Sequence, residues 1–142
     1  MKRIFQKFGD AQPDSETATA PRGTVLVVDD SPTETHLFVG ALEKAGFRVE
    51  SAQNGEEGVS AARRLHPDII LMDVVMPVLN GFQATRQLQR DPQTADIPVI
   101  MVTTKDQETD RTWGLRQGAL DYLVKPVDAQ ELVARIRTAL GD

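Results

Sequence analysis

The sequence predicts an α/β fold, a doubly wound (βα)5 unit whose five-stranded parallel sheet carries helices on both faces. Three observations support that expectation. Short apolar runs alternate with helical stretches in five β/α pairs from residue 24 onward. The runs at 25–28, 69–72 and 99–102 are apolar at every position, as in strands covered on both faces, and lack the alternation of a half-exposed strand. The stretches between them carry apolar residues at helical spacing, clearest near the end, where Leu132, Val133, Ile136 and Leu140 share a face beside Glu131, Arg135 and Arg137.

Each element follows in turn. TVLVV at 24–28 is the first strand, and a helix is expected over 33–45, closed by Ala45-Gly46 as a C-cap. FRVESA at 47–52 is the second strand; Asn54-Gly55 marks a turn before a helix over 55–65. DIILM at 68–72 leads, past an Asn80-Gly81 loop pair, to a helix over 82–90. IPVIMV at 97–102 precedes a helix near 107–117 that ends at Gln117-Gly118 and is poor in apolar residues, Trp113 and Leu115 excepted. LDYLV at 120–124 and a helix over 128–140 complete the set. Met72, Met76 and Met101 are expected to fill core space near the strands, and His36 and His66 to lie on the surface.

With 142 residues, the chain holds one domain and an extension, which excludes a multidomain enzyme. The domain is expected over 24–142. Residues 1–23 read as a tail, since DAQPDSETATAPRG offers little that can pack. Its start, MKRIFQKF, would align Ile4, Phe5 and Phe8 if helical, but eight residues are too short to hold a helix alone. A mobile end is expected there, with a membrane or partner anchor as the rival reading. Forty per cent apolar residues, 26% charged residues and a net charge of -5 describe a soluble globular protein. The absence of cysteine removes disulfides, thiol nucleophiles and Cys-ligated metals, and two isolated histidines build no His-rich metal site. No run is long enough to span a membrane and no leader precedes the domain, so a cytoplasmic protein is expected. The acidic balance argues against DNA as a partner.

In a doubly wound sheet the ligand site lies at the C-terminal strand ends. The residues there are Asp29 and Asp30, Asp73, Thr103 and Thr104, and Lys125-Pro126. Singly, each has a structural explanation as a cap, a turn residue or a solvated charge. Jointly, three carboxylates, a hydroxyl and one ammonium are delivered to one rim. Two like charges about 4 Å apart repel by about 4 kcal/mol at an effective dielectric near 20, so the cluster calls for a proton or a hard cation. All-oxygen ligation selects Mg²⁺ or Mn²⁺, and magnesium keeps waters and phosphate oxygens in its shell. Lys125 and Thr103 then suit phosphoryl oxygens, and a carboxylate can itself be the nucleophile. Asp73 is the candidate, with Asp29 and Asp30 as the metal-holding pair.

The segments VLVVDDS, DIILMDVVMPVLNGFQ, VIMVTTKD and GALDYLVKP resemble the receiver domain of two-component response regulators over residues 24–140. The resemblance implies strand order 2-1-3-4-5 and Asp73 as phosphoacceptor. It implies Asp30 as a direct Mg²⁺ ligand, Asp29 acting mainly through water, and the Val75 backbone carbonyl completing the protein ligands. It also implies Thr103 as the switch hydroxyl, Tyr122 as the aromatic switch, Lys125 as the phosphoryl-binding lysine, and Pro126 fixing its loop, in the family usually through a cis bond. DDSPTE, NGFQATRQL and the TTKDQETDR to DYLVKPV region are most similar to the stand-alone regulators of type IV pilus (twitching) chemotaxis-like systems.

The implied function is therefore phosphorelay: a histidine kinase as phosphodonor and a protein effector as output, with the pilus motor machinery as the candidate, from a monomer that is not a classical enzyme. A phosphate sink for a sister regulator and a phosphorylation-independent interaction module are the alternatives. A haloacid-dehalogenase-type phosphatase would need a second Asp two positions after the nucleophile, where this chain has Val75. A flavodoxin-like cofactor site would need a phosphate cradle in the first loop, where DDSPTE places two negative charges.

Overall fold

A computed structural model describes residues 22–141. Five parallel strands, β1 (Thr24–Val28), β2 (Arg48–Ala52), β3 (Ile69–Met72), β4 (Val99–Thr103) and β5 (Asp121–Val124), form one sheet in the order 2-1-3-4-5. They alternate with α1 (Pro32–Lys44), α2 (Gly55–Leu65), α3 (Gly81–Arg90), α4 (Glu108–Arg116) and α5 (Ala129–Ala139). The fold class and strand order are those expected.

The uniformly apolar strands are explained by two cores. Along β1, Leu26 and Val28 face a cluster with Val59, Ala62, Ala84 and Leu88 from α2 and α3. Val25 and Val27 face the other side, against Phe38 and Leu42 of α1 and Leu132 and Ile136 of α5. Every second residue thus enters a different hydrophobic layer, and no strand face is left to water. Met72 and Met101 are fully buried and Met76 nearly so, as expected.

Several local boundaries differ from the sequence reading. Asn80 is the N-cap of α3, not a loop residue: its side chain accepts from Gln83 N–H at 2.9 Å while Gln83 Oε1 accepts from Asn80 N–H at 3.1 Å. This reciprocal box starts the helix at Gly81, one residue earlier than expected. Asn54 likewise caps α2, and Ser31 caps α1 with Pro32 in the first turn. Gly46 and Gly118 follow their helices at φ of 96° and 113°, as the proposed C-caps require. Arg22 and Gly23 are already tied to the domain: Arg22 N–H donates to Gly46 O and Gly23 O accepts from Arg48 N–H. The MKRIFQKF reading lies outside the described residues, among which no helix is long and apolar enough to cross a membrane.

Helix α4 is weakly anchored, as its composition suggested, but by a different residue. Trp113 and Leu115 remain 47% and 42% exposed, and the one buried residue of α4 is Gly114. A Cβ there would lie 2.7 Å from Met101 Sδ and 3.0 Å from the Tyr122 ring, so the helix backbone itself packs on the sheet.

Two glycines give opposite expectations. A Cβ on Gly81 would lie 2.1 Å from the Asp73 carbonyl oxygen, whereas one on Gly40, in α1, meets nothing within 4 Å. Gly81→Ala should therefore lower the unfolding free energy by about 1–3 kcal/mol. Gly40→Ala should raise it by up to about 1 kcal/mol through helix propensity. Urea unfolding curves of the two variants test both signs.

Candidate functional site

The C-terminal ends of β1, β3, β4 and β5 bring the predicted residues together. Asp29 is buried directly after β1, Asp73 is buried directly after β3, and Asp30 beside Asp29 is exposed. One carboxylate oxygen from each of the three lies within 4.8 Å of the others. Lys125 reaches across from the end of β5. Its Nζ lies 2.8 Å from Asp29 Oδ2 and 3.2 Å from Asp73 Oδ2. The other oxygens of the two buried acids are held by backbone: Ser31 N–H donates to Asp29 Oδ1 at 2.9 Å, and Val75 N–H to Asp73 Oδ1 at 3.3 Å. Asp30 has no such partner among the described residues.

The energetics follow from burial. Desolvation is the largest influence on Asp73 and raises its pKa; Lys125 opposes that shift and Asp29 reinforces it, so the carboxyl stays above its ordinary range. Desolvation alone would lower the Lys125 pKa, but the Asp29 hydrogen bond and the Asp73 charge outweigh it, and the net shift is upward. The site therefore keeps its single ammonium charged and strains its central acid.

These comparisons decide the family. The response regulator receiver domain profile matches residues 25–137. The chain belongs to the response regulator receiver family. It is 60% identical over 117 residues to protein PilH of Pseudomonas aeruginosa, a match covering 82% of this chain and 97% of that protein. Among solved structures it resembles the chemotaxis protein CheY4 of Vibrio cholerae, with a TM-score of 0.77, 32% identity, and coverage of 81% and 96% of the two chains. It also resembles the receiver domain of a Pseudomonas aeruginosa sensor histidine kinase, with a TM-score of 0.79, 32% identity, and coverage of 84% and 98%. That structure is described with a magnesium ion coordinated in its active-site cleft. The DNA-binding regulator RpaA of Synechocystis is 42% identical over 116 residues, where the match spans 48% of the longer protein.

The remaining predicted residues of this receiver fall into place around the acids. Thr103 is the last residue of β4 and fully buried; its hydroxyl accepts from Lys105 N–H at 3.4 Å, and its hydrogen bond to Asp73 draws that pKa down. Thr104 points out of this group and is exposed. Tyr122 is only 2% exposed, and its hydroxyl donates to the Lys105 carbonyl at 2.8 Å. The Lys125-Pro126 bond is cis. His36 is exposed, and His66, at 3.0 Å from the Gln93 carbonyl, takes no part in the site.

Two residues of the site escaped the sequence reading. Glu34 Oε1 lies 3.6 Å from Lys125 Nζ, and the Phe38 ring lies 5.9 Å below the same ammonium. The available signal for Glu34 was its place in the first turn of α1, four residues after Asp30, where the Ser31 cap turns that helix face toward the rim. Four carboxylates thus surround one ammonium, and the oxygen-only donor set fits a hard divalent cation.

Removing one negative charge should relieve this crowding: Asp30→Asn should melt higher than the wild type in EDTA, and thermal unfolding of both proteins checks the direction. Burial raises the Tyr122 pKa to about 12, with Asp110 and Asp73 adding to it. Because the folded value exceeds the unfolded value, the stabilising contribution is complete below about pH 10 and is lost as pH rises toward 12. Tyr122 is the sole tyrosine, so phenolate absorbance should rise only above pH 11 in the folded protein and near its ordinary value in urea.

Proposed function

We propose that this chain accepts a phosphoryl group on Asp73 from a histidine kinase and passes the signal to a protein partner. The observation that supports this best is the single ammonium of Lys125 held between the carboxylates of Asp29 and Asp73 within a three-acid rim. In the transfer, an Asp73 carboxylate oxygen attacks phosphorus, the P–N bond of the phosphohistidine breaks, and the imidazole leaves with its electron pair and takes up a proton. In-line displacement of this kind relies on positioning and on charge stabilisation. The Val75 N–H fixes one Asp73 oxygen, leaving the other on the Lys125 side. Lys125 then neutralises the incoming phosphoryl oxygens, and the Thr103 hydroxyl turns from its resting partners to donate to one of them.

Asp29, Asp30, Asp73 and the Val75 carbonyl would hold Mg²⁺ or Mn²⁺, Asp30 directly and Asp29 mainly through water. The cation supplies neutralisation of the charge that develops on phosphorus. The lack of any partner on Asp30, beside an Asp29 already engaged by Lys125 and Ser31, favours this division.

Thr103 and Tyr122 form the proposed switch, and the resemblance to PilH points to a pathway of type IV pilus or taxis control, read by a protein partner such as the pilus motor machinery. A cytoplasmic monomer that catalyses no turnover of a separate substrate fits this role.

Labelling with acetyl phosphate tests the reading directly. Hydroxylamine-labile phosphate should appear on the wild type with Mg²⁺, vanish in EDTA and vanish in Asp73→Asn. Undiminished labelling of Asp73→Asn, or labelling indifferent to EDTA, would sink the assignment. Lys125→Gln should retain the fold and lose at least about tenfold in rate, a loss of about 1.4 kcal/mol in transition-state stabilisation.

A further inference from the structure

At the other pole of the domain, the C-terminal halves of α3 and α4 border a groove of about 430 Å³. Arg86 and Arg90 stand four residues apart on α3; Trp113 and Arg116 stand three apart on α4, so each pair shares a helix face. The floor is closed by a tight contact: a Cβ on Gly118 would lie 2.4 Å from Gln89 Cγ. From Gly81, which abuts Asp73, α3 runs about 13 Å to Arg90, so the groove shares no residue with the acidic rim.

Its electrostatics run against the rest of the chain. There are 21 acidic residues against 16 basic ones, yet no carboxylate lines this groove. Arg63 pairs with Asp91, Arg111 with the Tyr122 carbonyl and Arg135 with Asp121. Arg86, Arg90 and Arg116 have no hydrogen bond or ion pair among the described residues. Arg90 and Arg116 sit in the last turns of their helices, where a cation offsets the helix dipole. That account leaves out Arg86, in the helix interior, and leaves out Trp113, whose ring is 47% exposed beside it. Like charges at this spacing repel, so three guanidiniums in one groove gain only when an anion joins them.

The chemistry of that anion can be read from the groups. A guanidinium fork matches phosphate oxygens two at a time, and an open indole face stacks planar bases. We infer that this groove binds a nucleotide, with phosphates against Arg86, Arg90 and Arg116 and the base on Trp113.

Trp113 is the only tryptophan, so its fluorescence reports on the groove alone. The full chain should be titrated with ATP and with GTP in low salt and EDTA, which keeps metal-bound nucleotide off the acidic rim. The expected result is saturable quenching by at least one of them. It should weaken about tenfold in Arg86→Gln and in Arg116→Gln, with the melting temperature and acetyl phosphate labelling of Asp73 unchanged. Arg86→Lys, which keeps the charge and loses the fork, should weaken binding as well. Inorganic triphosphate and a poly-glutamate peptide are the competing probes. Saturation by neither nucleotide, with equilibrium dialysis in agreement, overturns the inference. So does triphosphate binding as tightly as the nucleotide, which leaves an anion patch without base recognition, or poly-glutamate binding more tightly, which assigns the groove to an acidic protein segment. Since the labelling of Asp73 is read separately, failure here leaves the phosphoacceptor reading intact.

Discussion

The rest of the structure is arranged around one unfavourable interaction: four carboxylates gathered about a single ammonium at the edge of the sheet. Their repulsion is of the order of several kcal/mol even at a generous dielectric, and nothing in the local chain relieves it. Only a rigid frame can hold such a group, and the frame is the two-sided hydrophobic packing of β1 and β3, whose residues are almost wholly excluded from water. The apolar strands supply the stability that the rim gives up. Desolvation, the leading influence on Asp73, is the same burial seen from the acid's side.

Precision at the rim comes from how little chain separates each strand from its helix. Ser31, Asn54 and Asn80 cap three helices within a few residues of the preceding loops, so each connection is fixed by side-chain hydrogen bonds at its end. The longest connection, from Asp73 to Asn80, is drawn in by glycine at two points. Gly81 N–H donates to the Val74 carbonyl at 2.9 Å, and Gly55 N–H to the Leu79 carbonyl at 3.1 Å, each at a place with no room for a Cβ. Val78, at φ 71°, is a β-branched residue in the left-handed region, so the loop between these two anchors carries backbone strain. Such strain beside a reacting carboxylate is tolerated because both ends of the loop are over-determined.

The strands and the acidic residues that follow them were legible because both signals are local. A run such as IILM followed by Asp needs no knowledge of the rest of the chain to place a carboxylate at a strand end. Glu34 was not legible, because its approach to Lys125 depends on the rotation that Ser31 and Pro32 give to α1, and helix phase is not visible in composition. The anchoring of α4 was misread for a related reason. Trp113 and Leu115 are the apolar residues of that helix, yet the contact is made by Gly114, where the absence of a side chain lets backbone meet Met101 and Tyr122. Hydrophobic patterning counts what a residue carries, and here the packing depends on what it lacks.

The position of Tyr122 bears on how the proposed switch would work. In this structure its ring is already inside the domain and its hydroxyl is tied to the Lys105 carbonyl, two residues beyond Thr103. The contacts run from Asp73 to Thr103, through the Lys105 peptide to Tyr122, and from its ring to Gly114 of α4. Contiguity of this kind supplies a route but no direction; a ligand biases two packings only by contacting them unequally. The inequality lies at Thr103, whose hydroxyl is shared in the resting state between Asp73 and a long bond from Lys105 N–H. A phosphoryl oxygen would be the stronger acceptor. Drawing the hydroxyl toward it would break that long bond and free the Lys105 peptide, and with it the carbonyl that holds Tyr122. The inward ring is thus a state that phosphorylation would reset through Lys105, and α4, fixed to the sheet by one buried glycine, is the element with the least to lose by following.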